Sequence, residues 1–85
     1  MKYILFDFLS SSVPILFPDH IGHDEINRMV KAIYPGVKAK SAGFVSITAQ
    51  DNRYLKSYVE RESTSLKLKP DKEDTRYIDL MINQY

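Results

Sequence analysis

Two stretches of helical spacing, each marked by proline, divide a chain that otherwise reads as short strands, and that alternation limits the folds open to it. In the first stretch Ile26, Met29, Val30 and Ile33 stand at i, i+3, i+4 and i+7, and Pro35-Gly36 closes it. Gly22 or His23 supplies the cap, with Asp24 and Glu25 at the positive end of the helix dipole. In the second, Pro70 takes the first helical position and Asp71, Glu73 and Asp74 fill the opening turn. Ile78, Met81, Ile82 and Tyr85 then carry the apolar stripe.

The segments between have strand character. Lys2 to Phe8 is rich in aromatic and branched residues, and Val13 to Phe17 follows a break at Phe8 to Ser12, so the two predict a hairpin. Pro14 suits an edge strand, where a missing ladder donor costs little. Val37 to Thr48 changes phase across Ser41-Ala42-Gly43, which marks Gly43 as a bulge or close backbone contact. Asp51-Asn52 is a natural turn, and Tyr54 to Glu60 alternates Tyr54, Lys56 and Tyr58 against Leu55, Ser57 and Val59. Glu62 to Leu68 adds a short extended piece. The expectation is an α+β fold of order ββαββα, an antiparallel sheet with two helices packed on one face.

Eighty-five residues fit one domain, 1–85, whose core is marginal at this size, so self-association as a homo-oligomer is expected. Cysteine is absent, so neither disulfides nor thiolate metal sites are available, in keeping with a reducing cytoplasm. Asp7 and Ser10 to Ser12 interrupt the first apolar run too early for a signal peptide, and no run reaches the length of a membrane span. The net charge of +1 hides a division: Lys31 to Lys69 holds eight basic residues against three acids. A basic middle suits an anionic ligand, and equally a solvated sheet face.

Few residues suggest chemistry. His20 and His23 beside Asp19 and Asp24 have metal-ligand types, but a helix beginning near His23 separates them, so capping and solvation are the expected roles. Ser41, Ser63 and Ser65 have no histidine-bearing motif around them, so no catalytic group is assigned and no enzyme is expected. The three scattered glycines make no phosphate loop, and neither a cofactor nor a metal is expected. Arg53, Tyr54, Lys56, Tyr58 and Arg61 interleave aromatics with cations, yet tyrosines at spacing two are ordinary in a half-buried sheet, so extended nucleic acid is not the expected partner.

The remaining constellation is Ser41-Ala42-Gly43-Phe44 with Arg61-Glu62-Ser63-Thr64-Ser65. Brought together at strand ends, Ser41, Gly43, Phe44, Arg61, Glu62, Ser63 and Ser65 would offer backbone N–H groups, hydroxyls, an aromatic face and an acceptor carboxylate to a small polar, ring-bearing ligand. Lys38, Lys40 or Arg61 would meet its phosphate. The structural alternative is local turn chemistry, since serine and threonine often bond their own backbone.

Leu16-Phe17-Pro18 before a helix, Ser41-Ala42-Gly43-Phe44, Glu62-Ser63-Thr64-Ser65-Leu66, and Pro70 followed by Glu73-Asp74 and Ile78 together resemble a group of small phage and prophage proteins of uncharacterised function. The order covers most of the chain; Lys69-Pro70-Asp71-Lys72-Glu73-Asp74 stands where that pattern has a tighter Arg-Pro-Glu-Asp run. The resemblance implies viral origin and activity in the cytoplasm of a bacterial host. The expected function is then an anti-defence protein that binds and sequesters a small anionic, nucleotide-like signalling molecule as a homo-oligomer. The alternative is a protein that inhibits or adapts a host protein without a small ligand, through anchors such as Tyr54 and Tyr58.

Overall fold

The computed structural model describes residues 1–84; Tyr85, given the last place in the second helical stripe, lies outside the described residues. The chain runs β1 (Lys2–Phe8), β2 (Ser11–Phe17), α1 (His23–Ile33), β3 (Lys38–Ala49), β4 (Leu55–Glu62) and α2 (Asp74–Ile82). The four strands form one antiparallel sheet in the order β2-β1-β3-β4. The α+β class and the ββαββα order are as expected.

The two helices, expected on one face, lie on opposite faces. Tyr3 and Leu5 of β1 join Val45 of β3 and Ile78 of α2 in one buried cluster. Ile4 and Phe6, which alternate with them, join Phe17, Val37 and Ala42 under Ile26 and Val30 of α1. Successive strand residues point to opposite faces, so the helices must be on opposite sides. The cause is in β1: Tyr3, Ile4, Leu5 and Phe6 are all buried, and a central strand that offers apolar side chains to both faces needs cover on both. Burial of each large side chain here contributes about 1.5–3 kcal/mol.

Connectivity follows from the same placement. β2 and β3 both pair antiparallel to β1, so they run parallel to each other with β1 between them, and α1 is the crossover that links them. β4 then returns along β3, leaving α2 to close the other face.

Element ends show what local chemistry did. β2 begins at Ser11, earlier than Val13, because Leu9 and Ser10 both adopt left-handed backbone (φ 50° and 67°) and close a two-residue turn between paired Phe8 and Ser11. α2 begins at Asp74, later than Pro70. The acidic residues read as its first turn instead stitch the approach: the Asp71 carboxylate accepts from Glu73 N (2.9 Å), and the Asp74 carboxylate accepts from Asp71 N (3.0 Å). Glu62 to Leu68, read as extended, is a turn closed by reciprocal bonds between Ser63 and Leu68 (2.8 and 3.2 Å).

α1 is rotated from its expected stripe. His23 is buried and Ile26 and Val30 are half-buried, whereas Met29 and Ile33 are 60% and 67% exposed. The helix meets the sheet along 23, 26 and 30, and its remaining apolar residues face outward.

Candidate functional site

The ladder between β3 and β4 brings the two serine-bearing segments side by side. Gly43 stands opposite Glu62 and Phe44 opposite Glu60, so Arg61 is the extra residue of a bulge, with left-handed backbone (φ 57°). A Cβ at Gly43 would run into the Arg61 carbonyl oxygen and come within 3.0 Å of the Glu60 carbonyl oxygen. Glycine at 43 is what lets the bulge close against β3.

The hydroxyls are distributed differently. Ser41 is buried, and among the described residues its Oγ has no hydrogen-bond partner. Ser63 is buried as well, and its Oγ accepts from Leu66 N (3.3 Å), which serves the turn. Ser65 and Glu62 are exposed. The register therefore joins Gly43, Phe44, Arg61 and Glu62, while Ser41, Ser63 and Ser65 face three different surroundings.

Around Phe44 the chain gathers charge. The Arg61 guanidinium lies over the Phe44 ring at 4.1 Å from its centroid, and Lys2 Nζ stands 5.6 Å from the same centroid. Lys2 also donates to the Ile21 carbonyl (3.1 Å), which fixes it at the approach to α1. The amine of Met1 pairs with the Asp19 carboxylate at 2.8 Å. That amine, through its hydrogen bond, holds the Asp19 carboxyl below its ordinary value, and Lys2 and Arg61 add to the effect. The Met1 amine is thus taken up by Asp19, while Lys2 and Arg61 stand on the Phe44 ring.

His23 forms the floor of this corner. Its ring meets Phe17 and Phe44 edge-on, at 5.3 and 5.9 Å between centroids, and its Nε2–H donates to the Gly43 carbonyl (2.9 Å). Burial is the main cause that lowers its pKa, so the imidazole is neutral near pH 7. His23 is thereby committed to packing. It stands apart from the metal set considered in the sequence, in which Asp19 is paired with the amine. Among the described residues no group of three or more histidine, cysteine or acidic side chains is arranged to hold a metal ion. Likewise no described helix is long and apolar enough to cross a membrane.

On the α2 side a second polar cluster escaped sequence reasoning. Asp79 is buried and accepts from Ser57 N (2.8 Å), Ser57 Oγ (2.7 Å) and Lys56 Nζ (3.1 Å). Burial would raise its pKa, but the Ser57 and Lys56 contacts outweigh it and the carboxyl is held below its ordinary value. The ionised carboxylate, bonded by three donors, fixes the Ser57 hydroxyl in place. Beside it a groove of about 490 Å³ is lined by Tyr54, Lys56, Arg76, Leu80 and Asn83. Asn83 closes one end of the groove with paired bonds to the backbone of Leu55, each 2.8 Å. The pairing of Ser57 with Asp79 left no periodic mark, since twenty-two positions separate them.

The chain matches no family model, and no curated protein or solved structure matches it.

Proposed function

We propose that this chain is a non-catalytic binding protein for a small anionic, ring-bearing ligand, taken at the corner where Lys2 and Arg61 meet Phe44. The stacking of the Arg61 guanidinium on Phe44 carries this reading. Arginine in left-handed backbone costs about 1–2 kcal/mol, so an arginine held there is better explained by what its side chain does than by the turn itself. With one face of the guanidinium on Phe44, its N–H edge is available to phosphate or carboxylate oxygens and its outer face to a planar ring. Lys2 supplies the second cation. Phe44 is on this view the support for the cations rather than the surface that stacks a base.

Two cations, Lys2 and Arg61, stand on the Phe44 ring while Asp19 is taken up by the Met1 amine, which suits a ligand of one or two negative charges. On the expected phage origin, such a ligand is proposed to be a bacterial signalling nucleotide, sequestered during infection. Titration calorimetry against cyclic and linear nucleotides, with inorganic phosphate as control, tests it. Micromolar binding by at least one nucleotide, weakened about tenfold or more by Arg61→Ala, is expected. No heat from any nucleotide at high micromolar protein would overturn it.

A second reading, a host-protein inhibitor, is favoured by the exposed Tyr54 and Tyr58 beside Lys56. One stoichiometric partner recovered from host lysate, and lost on Tyr58→Ala, would support that reading over the first.

A further inference from the structure

We infer that a second copy of this chain docks on the α1 side of the sheet, with Leu9 of each copy entering an apolar cavity of the other. The inference goes beyond the anion site and shares no residue with it: Lys2 and Phe8 stand at opposite ends of β1, roughly 20 Å apart by strand rise.

The cavity has a volume of about 260 Å³ and lies between the free end of the first hairpin and α1. Phe6, Phe8, Val13, Ile15, Val30 and Tyr34 line it. Cavities of about 150 Å³ with such lining hold a benzene ring, so this one has room for a leucine side chain. It opens to solvent because α1 presents only His23, Ile26 and Val30 inward. Val13 and Tyr34 at its edge are exposed.

Beside this hole stands a knob. Leu9 is 84% exposed, at the tip of the same hairpin whose Phe8 and Val13 line the cavity. It also sits in left-handed backbone, as does Ser10, in a turn whose two central positions ordinarily take Asn-Gly. Leucine there is unfavourable twice over, by strain and by exposure. Burial by another molecule would remove the exposure and offset the strain.

The second copy is the occupant that the shape of this surface supports, since the knob at Leu9 and the hole lined by Phe8 and Val13 belong to one hairpin. A knob beside a hole on one surface is also self-complementary under a two-fold axis, the commonest symmetry of homo-oligomers. Pairing through the neighbouring edge of the sheet is disfavoured, because Pro14 removes a ladder donor from β2.

Sedimentation equilibrium of the full chain from low micromolar to near millimolar concentration tests the inference, with two variants. Wild type is expected to pass from monomer to dimer across that range. Leu9→Asn relieves the turn, since asparagine accepts left-handed backbone, so its melting temperature is expected to hold or rise while its dimer dissociation constant rises about tenfold or more. Val13→Lys charges the cavity rim without touching the turn and is expected to weaken the dimer to a similar extent. Monomer mass throughout for wild type, or self-association unchanged in either variant, would overturn the inference.

Discussion

The two faces of the sheet are built to different standards. Under α2 the layer is tied by polar contacts, with a groove only at its rim: Ile78 is fully buried, the Tyr3 hydroxyl donates to the buried Asp74 carboxylate, and Asp79 is bonded by Ser57 and Lys56. Burial and the adjacent Asp74 push the Tyr3 phenol far above its ordinary range, so it remains a donor at any physiological pH. Under α1 the layer is apolar, half-covered and open at one end. A satisfied buried polar network fixes one arrangement of the parts it joins, while an apolar layer with space in it leaves surface for other molecules. The difference assigns stability chiefly to the α2 face and leaves the proposed binding surfaces on the α1 side.

The comparison breaks most readily by truncating matched core residues. Ile78→Ala is expected to cost about 3–4 kcal/mol, and Ile26→Ala about 1–2 kcal/mol, because only the first leaves a cavity sealed on every side. Urea unfolding of both variants measures this, and equal losses would mean that the two layers are packed alike. Gly43→Ala comes next. It forces β3 away from the Arg61 and Glu60 carbonyls, and a loss of about 2 kcal/mol in thermal or urea melts is expected.

Acid separates the faces by pH. His23 has its pKa lowered by burial, so below about pH 6.5 the unfolded chain takes up a proton that the folded chain refuses, and stability falls from there down to the folded value. Asp79, also lowered, stabilises the fold above the unfolded carboxyl value near pH 4, and this is lost as pH drops through its folded value. Two declines are therefore expected in urea midpoints measured from pH 8 to pH 3, and His23→Gln removes only the upper one. The smallest effect is at the bulge: Arg61→Gly relieves left-handed strain, and a gain of about 1 kcal/mol alongside lost anion binding is expected. Lost stability instead would mean that the arginine serves packing.

Much of the fold was legible because it is local. Lys2 to Phe8 and Pro35-Gly36 declare a strand and a helix stop by composition alone. The side on which each helix sits differs from expectation although the sequence carries the clue: four consecutive apolar residues, Tyr3 to Phe6, show no alternation, and all four are buried under cover on both faces. The start of α2 was misplaced because Asp71 and Asp74 have the same composition whether they cap a turn or open a helix. At the candidate site, the phase change at Gly43 signalled the close approach, but Lys2 over Phe44 joins residues forty-two positions apart in sequence and only the register reveals it.

The central position of β1 also bears on synthesis. This strand leaves the ribosome before β2, α1 and β3, yet its second neighbour is β3, with Lys2 finally paired to Phe44. Its α2-facing side chains, Tyr3 and Leu5, must wait until the last element of the chain is made before they are covered. Nascent chains halted before α2 are therefore expected to recruit chaperones, and those halted after it to be released from them.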